Sequence, residues 1–171
     1  MEHHVQEKTT DRQRVGAGAL EWWTALQRDK GARAQLKRCG EPMEVFFCPT
    51  FHDLARGLEA WGRRQKETVA VMAGVLAHVK RDVGGSSFAA QMAARKNRQK
   101  AVVSGLRFRR LIQIKEREDL FDPLIRIVRL LDSTANVADL AYSVWQWEHP
   151  DRFVQRDWAC DYYEQAAKDE P

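Results

Sequence analysis

From Leu20 to Tyr162 apolar residues recur three and four positions apart, and no run alternates apolar with polar over more than a few residues. An α-helix needs the first spacing to present one buried face; a half-buried strand needs the second. The 171-residue chain is therefore constrained to an all-α fold. Leu20, Trp23 and Leu26, with Trp22 beside them, mark a first helix from Ala17 that Gly31 breaks. Residues 32–39 place Ala32, Leu36 and Cys39 on one side of a short helix, with Lys30, Arg33, Lys37 and Arg38 on the other. Thr50 with Asp53 reads as a capping box for a stripe of Phe51, Leu54, Leu58 and Trp61. The strongly apolar stretch 68–79 reads as the central helix of the first lobe. Leu106, Phe108, Leu111 and Ile112 follow Ser104, and Leu120, Leu124, Ile127, Val128 and Leu131 form a further stripe. Asn136 with Asp139 starts a helix that runs to Trp147. Phe153, Val154, Trp158 and Tyr162 line the last one, from Pro150.

Breaks divide the pattern. Gly40 and Pro42 stop the second helix, and 41–49 reads as a loop with an apolar centre. VGGSS at 83–87 is a flexible joint whose serines can cap a short helix over 88–94. Residues 95–100 are a polar loop. The expected architecture is eight or nine helices in two small bundled lobes that share an interface. A disordered N-terminal arm spans 1–16, one lobe 17–95 and the other 96–171.

Charge points to a partner. Residues 95–115 contain Arg95, Lys96, Arg98, Lys100, Arg107, Arg109, Arg110 and Lys115 and no acid at all. Like charges crowded on one surface repel, so the arrangement suits a polyanion. Residues 56–115 hold 14 Lys and Arg against 3 Asp and Glu, whereas 132–171 hold 3 against 9. A basic middle fits phosphates; an acidic end fits solubility or a basic protein neighbour.

Several classes find no support. Gly84-Gly85 follows no strand and precedes no GK[ST], so it is not a phosphate loop. Glu116, Glu118, Asp119 and Asp122 sit where a helix dipole favours acids. Cys48 and His52 lack a second ligand pair, and His3-His4 lie in the polar arm; no metal or cofactor is expected. Cys39, Cys48 and Cys160 form no CxxC and read as reduced thiols. The N-terminus has no apolar signal segment, and no run spans a bilayer. A soluble cytoplasmic protein is expected.

Four segments carry a family likeness: LEWWTALQRDKGARAQLKR (20–38), PTFHDL (49–54), GLRFRRLIQIKEREDLFDPLIRIVRLL (105–131) and FVQRDWACDYYEQ (153–165). In this order they resemble the CasB-type small subunit of the type I-E CRISPR Cascade complex. The resemblance implies an all-helical, two-lobed, non-catalytic subunit of an RNA-guided antiviral surveillance complex. Such a subunit contacts crRNA and the target and non-target DNA strands, stabilises the R-loop, and touches the backbone and large subunits and a second copy of itself. Its basic positions carry over to Lys37, Arg38, Arg107, Arg109, Arg110 and Arg129, with Lys30, Arg33 and Arg126 beside them. Arg95, Lys96, Arg98, Lys100 and Lys115 are candidates on charge alone. Two other functions compete: a protein-interaction adaptor using the acidic C-terminal lobe, and a small basic nuclease.

Overall fold

A computed structural model describes residues 2–96 and 100–168. Ten α-helices occur among them: α1 (Glu2–Arg28), α2 (Lys30–Arg38), α3 (Pro42–Val45), α4 (Pro49–Gly57), α5 (Arg63–Leu76), α6 (Phe88–Ala93), α7 (Gly105–Ile112), α8 (Phe121–Leu130), α9 (Val137–Trp145) and α10 (Phe153–Lys168). A 3-10 turn, Arg117–Leu120, leads into α8. Four two-residue strands make two ladders. β1 (Arg81–Asp82) runs parallel to β4 (Thr134–Ala135), and β2 (Arg95–Lys96) pairs antiparallel with β3 (Lys100–Ala101). The all-α expectation holds.

Helix α5 covers most of the stretch read as the first lobe's central helix, and it packs on helices from both expected lobes. Every residue from Thr68 to Leu76 is buried. It packs against α2, α3, α4, α8 and α9. Gly74 is required by close approach: a Cβ there would overlap the Phe121 ring and lie 3.3 Å from Val45 Cγ2. Short polar side chains set the helix starts. Asp29 accepts from the Ala32 N–H at 2.9 Å, Ser87 from Ala90 at 3.2 Å, Ser104 from Arg107 at 3.4 Å and Asn136 from Asp139 at 3.1 Å.

Four expectations are corrected. Residues 2–16 belong to α1 rather than to a disordered arm. Val15 and Ala19 are fully buried, and the polar residues find distant partners. Arg12 donates to Asp139 at 2.7 Å, and Arg14 donates to the Leu58 carbonyl at 2.7 Å while lying over the Trp145 ring. Thr50 is no cap; α4 starts two residues earlier than that cap implies, at Pro49, with Cys48 as its N-cap. Trp61 is 67% exposed, because α4 stops at Gly57 and Glu59 takes a positive φ of 52°. The last helix begins at Phe153, three residues past Pro150, after Arg152 turns at φ 50°.

The stretches 17–95 and 96–171 do not enclose separate cores. Helix α1 lies along α9, α6 against α10, and α5 against both α8 and α9. All buried apolar residues form one cluster.

Candidate nucleic-acid interface

Helices α7 and α8 are strongly amphipathic. In α7, Phe108 and Leu111 are buried, which leaves Arg107 and Arg110, three apart, on the outer face. In α8, Leu124, Ile127 and Val128 are buried, leaving Arg126 and Arg129, also three apart. The fold sets these two arginine pairs around one open groove of about 610 Å³. Leu111, Pro123, Ile127 and Leu130 supply its apolar lining. Among the described residues the only ion pair of these four arginines joins Arg126 to Asp122 of its own helix, at 3.6 Å. Such an exposed pair is weak. The groove is thus cationic, apolar at its base and nearly uncompensated.

The positive surface continues toward α2. His78, 4% exposed, lies in the turn that follows α5. Burial first, then the charges of Arg129, Lys37 and Arg33, push its pKa down to about 4. The charges of those cations, from two helices, therefore act on one buried imidazole. Lys37 and Arg38 are exposed in the last turn of α2, and Lys30 is exposed in its first.

Not every candidate joins this surface. Arg33 is half-buried and donates to the carbonyls of Ala77 at 3.0 Å and Val79 at 3.2 Å. It caps the end of α5, a structural task. Arg109 is absent from the groove lining. Its charge acts instead on Tyr162, which stacks on Phe108 at 3.9 Å and donates to the Val103 carbonyl. Arg95 is half-buried and lines a second cavity, of about 400 Å³, with Val102 and Asp132; Leu130 borders both cavities. Lys96 and Lys100 are backbone register partners in the β2–β3 ladder. Lys115 is exposed beyond α7. Arg98 lies outside the described residues.

Sequence reasoning missed a buried arginine. Arg117 donates to the carbonyls of Val144 at 2.7 Å and Trp145 at 3.1 Å, and to Thr68 Oγ1 at 2.6 Å. Glu148 accepts its backbone N–H at 2.8 Å and lies 3.3 Å from its guanidinium. Burial alone pushes the Glu148 carboxyl up. The Arg117 N–H and the Arg64 and Arg117 guanidiniums outweigh that, so its pKa falls below the ordinary value. The one signal in the sequence is a lone arginine set among Glu116, Glu118 and Asp119. At the start of α5, Arg64 pairs with Glu148 at 2.8 Å and Arg63 with Glu67 at 2.9 Å. Among the described residues no group of three or more His, Cys, Asp or Glu could hold a metal ion, and no helix is long and apolar enough to cross a membrane.

The family model for CRISPR-associated protein Cse2 matches residues 32–163. The chain belongs to the Cse2 family. That is the family the four motif segments point to. The Cse2 match holds every candidate cation except Lys30, and it begins after the Trp22-Trp23 part of the first motif. No curated protein matches the chain. Among solved structures, a chain of E. coli Cascade, crystallised bound to a PAM-containing dsDNA target with a 32-nt spacer, superposes with a TM-score of 0.67 at 20% identity. The superposition covers 88% of this chain and 97% of that one. At this identity the likeness is one of fold, and it agrees with the helical architecture of the Cse2 assignment.

Proposed function

We propose that this Cse2-family chain is a non-catalytic, nucleic-acid-binding subunit of a CRISPR RNA-guided surveillance complex in the cytoplasm. It holds crRNA, target and displaced DNA strands through Lys and Arg contacts to phosphates and so stabilises the R-loop. The observation that carries this reading is the groove in which Arg107, Arg110, Arg126 and Arg129 converge with one weak ion pair among them. Exchanging a DNA duplex for a guide–target duplex is nearly balanced in energy, so modest backbone contacts decide its outcome. Sequence is read by base pairing, and the protein needs only cations. Arginine suits the task, because its planar fork bridges two phosphate oxygens. Lys37, Arg38 and Arg129 extend the track past His78. Lys30, Arg95, Lys96, Arg98, Lys100, Arg109 and Lys115 are further candidates for phosphate contacts, and Arg33 holds the end of α5. The backbone and large subunits and a second copy of this chain are its protein neighbours, as the Cascade likeness supports.

The test is to assemble the complex with and without this chain and to measure retention of a matched target duplex across a salt series. One variant carries Arg107→Ala, Arg110→Ala and Arg129→Ala together. Each lost phosphate contact removes about 0.7–0.9 from the slope of log affinity against log salt. The triple variant should therefore bind more weakly, with a slope shallower by about 2. Omission that matters while the triple change does not would favour the adaptor reading, in which the chain joins the complex by protein contacts alone. Omission without effect would refute membership in the complex.

A further inference from the structure

Cys39 and Cys48 meet, with their Sγ atoms 3.7 Å apart. Each sits at a helix end. The Cys39 N–H donates to the Leu36 carbonyl and closes α2, and Cys48 is the N-cap of α4. The segment between them is short and held. Glu44 accepts the Gly40 N–H, the Cys48 N–H bonds the Val45 carbonyl at 3.0 Å, and Leu36, Val45 and Phe51 are fully buried. Neither the cation groove nor the Cse2 assignment uses these thiols.

We propose that Cys39 and Cys48 form a thiol–disulfide modification site that takes a small-molecule disulfide of the glutathione class. A disulfide requires the sulfurs to close to about 2.0 Å. That is about 1.7 Å nearer than in the reduced pair, a change within reach of side-chain rotation. Cys39 is half-buried and Cys48 is 3% exposed, so Cys39 meets the oxidant first. Its thiolate, having released a proton to solvent, attacks one sulfur of the small disulfide. That S–S bond breaks, and the first small thiol leaves with the electron pair and takes up a proton. Cys48, having lost its proton to solvent, then attacks the Cys39 sulfur, and the second small thiol leaves with the electron pair of the broken bond and takes up a proton. Two protein thiols are oxidised to one disulfide, and one small disulfide is reduced to two thiols. Burial, followed by the contact with Cys48, pushes the Cys39 thiol up to about 12. Attack proceeds through the thiolate, so the exchange is slow at neutral pH and quickens as pH rises.

The bond would join the end of α2 to the start of α4 beside Lys37 and Arg38. It would close a loop over residues 39–48. Constraining the unfolded chain in this way should raise the melting midpoint by about 5 °C or more. The experiment uses the full chain with Cys160→Ser, which removes the one exposed thiol. The protein is incubated with oxidised glutathione at mildly alkaline pH, its remaining thiols are blocked, and it is read by intact mass, peptide mapping and thermal melting. The expected result is a mass lower by two hydrogens, a mapped Cys39–Cys48 link and a raised midpoint that a reductant reverses. In the Cys48→Ser background glutathione should instead stay on Cys39. Stable glutathione on Cys39 with Cys48 intact would overturn the proposal. So would two thiols that remain blockable after denaturation, or a link that lowers the midpoint.

Discussion

His78 makes the stability of this chain depend on pH in a calculable way. It is 4% exposed, and burial together with Arg129, Lys37 and Arg33 holds its pKa near 4, against an ordinary 6.5. As pH falls through 6.5 the unfolded chain binds a proton there, while the native chain binds it only near 4. The unfolded state thus holds more protons across that window, and stability drops as pH falls. A gap of about 2.5 units at about 1.4 kcal/mol per unit gives about 3.4 kcal/mol below pH 4 and nothing above pH 7. His78→Gln removes the titration and keeps a polar side chain of similar size. Urea unfolding of both proteins at steps from about pH 7.5 to 4.5 isolates the difference, because every other titrating group cancels. The native protein should lose about 1.4 kcal/mol relative to the variant by pH 5.5, and about 2.5 by pH 4.5. Parallel stability curves would refute the reasoning: the imidazole would then be solvated or paired, and the α2 and α8 cations would not converge on it.

Two substitutions test the remaining framework. Glu148→Ala leaves the buried Arg117 guanidinium without its carboxylate and should cost about 3 kcal/mol in urea unfolding. Because the Glu148 pKa is depressed, its contribution is present above the ordinary glutamate pKa and fades as pH falls through the folded value. A loss under about 0.5 kcal/mol would show that the carbonyls of Val144 and Trp145 and the Thr68 hydroxyl hold Arg117 without it. Gly74→Ala forces Phe121 aside in a filled core and should cost about 1–3 kcal/mol by the same assay, and an unchanged midpoint would mean that the ring repacks freely.

Much of this fold is legible because helices announce themselves locally. The stripe Leu120, Leu124, Ile127, Val128 and Leu131 is buried as its spacing predicts, and Ser87 before α6 and Asn136 before α9 cap as their positions imply. Non-local polar chemistry was not legible. Residues 11–16 look like an arm until Arg12 is seen to donate to Asp139, 127 positions away. Arg33 looks like a solvated cation until the backbone carbonyls of Ala77 and Val79 appear beneath it. The groove lies between these extremes. Each arginine pair, Arg107 with Arg110 and Arg126 with Arg129, is visible in the sequence as a three-residue spacing on an outer face. Their convergence depends on how α7 lies beside α8, which no local pattern encodes.

The pairing of α1 with α9 and of α6 with α10 bears on how the chain is made. On a ribosome, α1 emerges first but must wait for the residues of α9 before its buried face is covered. The parallel β1–β4 ladder adds a contact across 53 positions, between Arg81 and Thr134. Contacts so far apart in sequence slow folding, because the intervening loop must close before they reward it. The faces that α1 and α6 bury against α9 and α10 are therefore covered only after those later helices have been made.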